Sequence, residues 1–151
     1  MLIPGVGEIK LLKDISEAKR ILESSRAVRA ASGGFKYGVS PEEVAELNRS
    51  FGGSGSAVRG SIENTMLNAE RYSSFYDKVA VVIRDVAGSH MYDDGNKRTT
   101  VAIVEKLFQD NNIANRSTGQ ELETIVLRAS KGRDAGGLTS IASIAKALGK
   151  I

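Results

Sequence analysis

Nine consecutive residues of the chain combine the side chains that phosphate chemistry requires. The segment is His90-Met91-Tyr92-Asp93-Asp94-Gly95-Asn96-Lys97-Arg98, and His90 is the only histidine among the 151 residues. An imidazole is the most common general base near neutral pH, and a carboxylate such as Asp94 is suited to binding Mg²⁺. Met91 and Tyr92 are expected to pack into the core and fix the turn. The order of residues therefore predicts a base and a metal ligand in one anchored segment.

The last four residues of this segment are predicted to bind an anion. They begin a predicted helix, and a helix start presents unpaired backbone N–H groups and a partial positive charge. Gly95 lets an anion approach the backbone closely, and Asn96 adds an amide donor. Lys97 and Arg98 add two cations, which completes a phosphate-binding site. With His90 and Asp94, these residues are the parts that in-line phosphoryl transfer requires.

Each residue of the segment also has an ordinary structural interpretation. A lone histidine is more often a surface residue, Asp93-Asp94-Gly95-Asn96 fits a plain turn, and Lys97 and Arg98 fit a solvated surface. The segment is not an EF-hand loop, because the alternating Asp and Asn ligands and the terminal Glu are missing. The presence of all the parts in one fixed order favours the chemical interpretation.

The nine-residue segment resembles the motif of the Fic/Doc family, His-x-Phe-x-Asp/Glu-Gly/Ala-Asn-Gly/Lys-Arg, with Tyr92 in the aromatic position. The resemblance extends over roughly residues 39–148. Residues 39–44 resemble the beginning of Doc-type members, Gly52-Gly53 lie where the family has a flap, and residues 117–148 resemble the C-terminal helix pair. The resemblance implies an all-α, Fic/Doc-type helical domain with a short flap, a loop or β-hairpin, before the motif.

The resemblance also implies a role for each motif residue. His90 corresponds to the catalytic base and Asp94 to the ligand of the cofactor Mg²⁺. Gly95, Asn96, Lys97 and Arg98 correspond to the residues around the phosphates of the co-substrate ATP, and Lys97 and Arg98 count among the catalytic residues. The flap, about residues 52–61, would dock a target protein by strand-like pairing.

The function implied is that of a toxin that transfers a phosphate-containing group from ATP to a protein hydroxyl. Most adenylylating members have Gly where this chain has Lys97, whereas Doc-type members have Lys and phosphorylate elongation factor Tu. A long cationic side chain at this position changes which phosphate sits beside the base, so Lys97 favours a Doc-like kinase. Fic-type adenylylation and a non-catalytic Fic-fold binding module are the alternatives. An antitoxin or immunity protein is the expected inhibitor, and the cytoplasm of the producing or target cell is the expected location.

Two features depart from the family pattern. Doc-type members have an arginine shortly before the motif histidine, where this chain has Gly88 and Ser89. Arg84 lies further upstream, and Arg59 or Arg71 are candidates to replace the missing arginine.

Ser61-Ile62-Glu63-Asn64 partly resembles the inhibitory helix of some members, but Arg59 occupies the Ser/Thr position. We therefore expect an ordinary helix that begins at Ser61.

Helical apolar periodicity surrounds the motif and predicts an all-α class. A loop or small hairpin is expected over residues 51–60, and a short strand is allowed only there or at residues 114–117. Residues 1–38 are predicted to be a helical extension or the edge of a larger protein, and residues 39–151 the catalytic domain. Helices are predicted at about residues 16–31, 41–50, 61–69, 73–88 with Gly88 as C-cap, 96–110, 119–130 and 139–148.

The net charge of +3 comes from the N-terminal segment. Residues 1–40 contain three more basic than acidic residues, so the rest of the chain is neutral. A nucleic-acid-binding protein is expected to carry a basic face on its main body, so no direct nucleic-acid binding is expected. Lys97 and Arg98 are accordingly predicted to make local contacts to an anion.

Several classes of protein are disfavoured by what the sequence lacks. The absence of cysteine excludes disulfides and thiolate zinc sites and fits a reducing compartment. With a single histidine, a zinc hydrolase is disfavoured as well. The phosphate-binding pattern Gly-x-x-x-x-Gly-Lys-Ser/Thr is missing, and Gly53-Ser54-Gly55 lacks the third glycine of a dinucleotide motif. The sequence contains no run of about 18 apolar residues, so a membrane span is not predicted. The N-terminal residues lack the long apolar stretch of a signal peptide.

Overall fold

The computed structural model describes residues 31–114, 119–131 and 137–150, which form six α-helices. A π-helical turn, Arg84–Gly88, continues the third helix directly. The described ranges contain no strand, and their β-pairing is limited to an isolated bridge between Ala57 and Tyr92. The prediction of an all-α class is therefore confirmed for this part of the chain. The helices are α1 (Pro41–Ser50), α2 (Ile62–Glu70), α3 (Phe75–Ile83), α4 (Asn96–Asp110), α5 (Gly119–Ser130) and α6 (Ile141–Leu148).

Most helix boundaries agree with the sequence prediction. The predicted bounds of α1, α4 and α5 are confirmed, whereas α2 begins one residue and α6 two residues later than predicted. The predicted helix over residues 73–88 is α-helical only as far as Ile83 and then widens into the π-helical turn. The helix predicted at residues 16–31 lies almost entirely outside the described residues. Of the short strand allowed at residues 114–117, residues 115–117 also lie outside them.

Serine side chains explain where four of the helices begin. Ser40, Ser61, Ser74 and Ser140 stand in extended conformation before α1, α2, α3 and α6. Each hydroxyl oxygen accepts the backbone N–H three residues later, at 3.1 to 3.5 Å. Such caps satisfy N–H groups that have no partner within the helix, and each stabilises its helix by about 1 kcal/mol.

Helix α3 lies at the centre of the core. Its residues 78–83 are all buried, and the helix packs against α2, α4 and α6. A helix that is covered on every side is a central element rather than a surface one. The most extensive of these contacts is the one between α3 and α6, whose buried residues are Ile141, Ile144 and Leu148. The same core contains Ile103 and Leu107 of α4.

The segment before α1 is tied to the same core. Phe35 and Val39 are buried, and the ring of Phe35 meets that of Phe75 edge to face. Lys78 is also buried, and its ammonium donates hydrogen bonds to the carbonyls of Gly33 (3.2 Å) and Ala69 (3.1 Å). Burial lowers the pKa of Lys78, because the charged form loses hydration. One charged side chain thus joins this segment to α2 and α3.

Candidate active site

His90 stands at the end of the π-helical turn in an uncommon backbone conformation. Its φ is 51°, in the left-handed region that non-glycine residues seldom adopt. The expectation that Gly88 caps this helix is wrong: Gly88 is the last residue of the π-helical turn, and the positive φ falls on His90. Turns of this kind inside helices are frequently found at functional sites. The exposed imidazole is thereby presented at the end of a buried helix.

Met91 and Tyr92 anchor the segment, as predicted from the sequence. Both are buried, at 1 % and 3 % exposure, and burial raises the pKa of the Tyr92 hydroxyl, with a further contribution from the Glu63 carboxylate. The side chain of Asn96 closes the turn around Tyr92: its Oδ1 accepts the Tyr92 N–H (2.7 Å), and its Nδ2 donates to the Tyr92 carbonyl (2.8 Å). The amide of Asn96 is therefore used mainly to hold the turn.

The start of α4 differs from the four serine-capped starts. Gly95 precedes it with φ 73°, and no side chain among the described residues caps the helix. The Gly95 N–H donates to Asp94 Oδ1 (2.8 Å). A Cβ at Gly95 would lie 2.9 Å from the carbonyl oxygen of Phe51, so both the conformation and the space require glycine. The first N–H groups of α4 are left for an anion.

All the predicted site residues lie around one cavity. It has a volume of about 460 Å³. Lys97 and Arg98 are exposed, and neither forms an ion pair with another described residue. An anion in this cavity would therefore meet two unpaired cations and a helix N-terminus. The cavity is lined by His90, Asp93, Asp94, Gly95, Asn96, Lys97 and Arg98, together with Phe51.

A larger, more apolar cavity adjoins this one. Its volume is about 660 Å³, and it shares Phe51, Lys97 and Arg98 with the first cavity. Val101, Ala102 and Leu127 supply the apolar surface, and the carboxylates of Glu105 and Glu123 complete the lining. The sequence analysis did not identify this cavity, since Phe51 and Leu127 are distant in sequence and carry no chemical signal of their own.

The flap, residues 52–61, lies beside the motif as a series of turns rather than a hairpin. The N–H groups of Val58 and Arg59 donate to the Met91 carbonyl, at 2.7 and 3.1 Å, next to the bridge at Tyr92. The Ser54 N–H donates to Asp93 Oδ1 (3.0 Å), and this hydrogen bond lowers the pKa of the Asp93 carboxyl group. The flap is therefore held against the motif at several points.

Asn48 is a site residue that the sequence analysis missed. It is fully buried on α1, and its Nδ2 donates to the Asp94 carbonyl (2.8 Å) and to Thr99 Oγ1 (3.3 Å). Its Oδ1 accepts the N–H of Gly55 in the flap (3.0 Å). Its position four residues after Val44, on the buried face of the predicted helix, was the available signal. A polar residue on an apolar stripe needs partners, which here are the motif and the flap.

Of the two candidate arginines, Arg59 and Arg71, it is Arg59 that reaches the motif histidine. Its Nη1 donates to the His90 carbonyl (3.3 Å), whereas Arg84 is paired with Asp85 (3.0 Å) and Arg71 is exposed. Ser61 caps α2, so the expected ordinary helix start is confirmed. Glu63 lies in the first turn of α2 and forms no ion pair with Arg98 in the described part of the chain.

No family model, curated protein or solved structure matches the chain. None of the described helices is long and apolar enough to cross a membrane.

Proposed function

We propose that the chain is a Fic/Doc-type transferase that moves a phosphate-containing group from ATP to a protein hydroxyl. The cavity of about 460 Å³ carries the proposal, because His90, Asp94 and the uncapped start of α4 share its wall. A base, a carboxylate and an anion-binding helix start are the protein groups that in-line transfer requires. The resemblance of residues 39–148 to the Fic/Doc family points to the same reaction.

The phosphate chain of ATP would lie on the phosphate cradle, residues 95–98. The N–H groups at the start of α4 would donate to phosphate oxygens, and Lys97 and Arg98 would neutralise their charge. The adjoining apolar cavity leaves room for the rest of the nucleotide. Because both cations are exposed and unpaired within the described residues, they can bind phosphate without first breaking an ion pair.

Asp94 fits Mg²⁺ only when the nucleotide supplies further ligands. The described residues contain no cluster of three His, Cys, Asp or Glu side chains that could hold a metal ion. Mg²⁺ is commonly bound by one or two carboxylates together with phosphate oxygens and water, which agrees with a single Asp94. When bound, the ion would share the negative charge of the phosphates.

His90 would act as the general base. As the acceptor oxygen forms a bond to phosphorus, its proton passes to the imidazole. In the kinase reaction the bond forms to the γ-phosphorus, the bond from that phosphorus to the bridging oxygen breaks, and ADP leaves. In adenylylation the bond forms to the α-phosphorus, and pyrophosphate leaves. Lys97 favours the kinase reaction, because it occupies the space that a glycine would leave open.

The target would be a protein segment that pairs with the free edge of the flap. The Val58 side chain is 58 % exposed on the flap, whereas the N–H groups of Val58 and Arg59 are held by the motif at the flap's other edge. A translation factor such as elongation factor Tu is the proposed target, and the chain would act as a toxin in the cytoplasm. Since Glu63 forms no ion pair with Arg98 within the described ranges, we propose that inhibition comes from a separate antitoxin or immunity protein.

Transfer of label from ATP tests the proposal. The protein is incubated with Mg²⁺, cell lysate or purified elongation factor Tu, and ATP labelled on either the γ- or the α-phosphate. We expect label from the γ-phosphate on a protein band and none from the α-phosphate. The variant His90→Ala should lose the transfer, and Lys97→Gly should shift it towards the α-label.

Other outcomes of this experiment support the alternatives. Transfer of the α-label by the unmodified protein would mean adenylylation. If neither label is transferred, and His90→Ala is as toxic to cells as the unmodified chain, the chain is a binding module and the enzymatic proposal is wrong.

A further inference from the structure

One buried side chain joins the flap, the motif and two helices. Asn48 of α1 contacts the Asp94 carbonyl in the motif, Thr99 in α4 and the Gly55 N–H in the flap, at 2.8, 3.3 and 3.0 Å. These three hydrogen bonds use both amide hydrogens and the amide oxygen. The residue is fully buried, so water does not compete for these groups.

The flap is shaped to fit this amide. A Cβ on Gly53 would lie 2.0 Å from Asn48 Oδ1, so only glycine leaves space for the side chain. The Gly53 N–H also donates to the Asn48 carbonyl (2.9 Å). The backbone and the side chain of one residue therefore hold two successive turns of the flap.

We infer that Asn48 is a positioning residue that sets the flap at a fixed height above the phosphate cradle. The inference rests on the proposed function, in which the flap carries the acceptor hydroxyl and the cradle carries the phosphate. These two groups must meet beside His90, although they are held by different parts of the chain. Asn48 contacts the flap with its oxygen and the turn that begins the cradle with its nitrogen, so it fixes their separation.

Loss of this positioning should slow the chemical step of the proposed reaction. A misplacement of about 1 Å between reacting groups lowers a rate by about 100-fold. Asn48 does not line the cavity, and the N–H groups and cations of the cradle belong to α4 itself. Loss of the Asn48 amide should therefore misalign the two substrates while each of them still binds.

The experiment compares Asn48→Ala with a matched control, Asn111→Ala. Asn111 also makes three hydrogen bonds through its amide, to the Tyr37 N–H (3.0 Å), the Tyr37 carbonyl (2.8 Å) and the Leu107 carbonyl (2.8 Å). It also ties a loop to α4, but at the far end of the helix, about 22 Å from the cradle. Asn48 is the more buried of the two, so the unfolding free energy of both variants is measured and the kcat losses are compared at a temperature at which both are folded.

Two measurements are made on the unmodified protein and both variants. The first is the rate of label transfer from Mg·ATP to purified elongation factor Tu, with kcat and the KM for ATP determined separately. We expect kcat to fall about 100-fold in Asn48→Ala, with the KM for ATP within about threefold of the original, and Asn111→Ala to keep its kcat. The second is hydrogen exchange at the Gly55 amide, which loses its acceptor and should become fast in Asn48→Ala alone.

The two measurements separate failure of the inference from failure of the proposed function. Equal kcat losses in both variants, or a Gly55 amide that stays protected in Asn48→Ala, would overturn the positioning role. If the unmodified protein transfers no label, the proposed function fails, and hydrogen exchange still decides whether Asn48 holds the flap. A raised KM for ATP with unchanged kcat would make Asn48 a binding determinant, which also contradicts the inference.

Discussion

At the scale of single residues, His90 has a strained, left-handed backbone conformation that the contacts of its neighbours maintain. A left-handed conformation costs a non-glycine residue about 1–2 kcal/mol. Met91 and Tyr92 are buried directly after it, and the Met91 N–H donates to the Val86 carbonyl (3.1 Å), so the chain cannot relax at His90 without losing these contacts. The strained backbone conformation thus occurs at the same residue that carries the exposed imidazole.

Substituting His90 with glycine and with alanine separates chemistry from strain. Both variants lose the proposed general base, so transfer should fall by about 10²–10⁴-fold in each. Glycine adopts φ 51° freely, so His90→Gly should be about 1 kcal/mol more stable than His90→Ala. Urea denaturation of the two variants measures this difference. Equal stabilities would mean that the backbone relaxes at this position.

At the scale of elements, Lys78 ties three parts of the chain together. Its ammonium donates to the Gly33 and Ala69 carbonyls, and a Cβ on Gly34 would approach its Nζ to 2.5 Å. Methionine has a similar length but donates no hydrogen bond. The variant Lys78→Met should lose about 1–3 kcal/mol of unfolding free energy, because the buried Gly33 carbonyl loses the ammonium donor and the Ala69 carbonyl keeps only backbone N–H donors such as that of Tyr72.

The stability advantage of Lys78 over methionine should depend on pH. Because the folded pKa is lowered below 10.5, the unfolded chain binds more protons between the folded pKa and 10.5. Stability therefore rises with pH in that window. The difference in unfolding free energy between the two proteins should grow from neutral pH to about pH 10. A difference that shrinks over this range would contradict the lowered pKa.

At the scale of the whole molecule, α6 covers the central helix. Ile144 is fully buried and packs on α3, so Ile144→Ala should lower the unfolding free energy by about 2–5 kcal/mol. Ala142 is exposed on the same helix, and Ala142→Ser should change the unfolding free energy by less than about 0.5 kcal/mol. Thermal unfolding of both variants tests this. Similar losses would mean that α6 is stabilised by its own propensity rather than by packing.

Local signals explain which parts of this fold were predictable from the sequence. The starts of α1 and α2 are predictable to within one residue, because Ser40 and Ser61 each lie directly before an apolar period. The motif residues 90–98 are contiguous, so their meeting in one cavity required only that the turn be correctly placed.

The unpredicted features depend on residues that are distant in sequence. Asn48 lies 46 residues before Asp94 and 51 before Thr99, and no local pattern joins them. The positive φ of His90 similarly follows from the burial of Met91 and Tyr92 against the core, which is decided by packing and not by propensity. The larger cavity depends on how α5 is placed beside α4.

The central position of α3 also has a consequence for biosynthesis. A ribosome adds about 5–20 residues per second, so the roughly 60 residues between α3 and α6 take about 3–12 s to translate. During this interval the face of α3 that α6 later covers is exposed on the nascent chain, where a chaperone can bind it. His90 follows α3 through the π-helical turn, which packs against α4 and α5, so its described geometry is completed only after α5 has been translated.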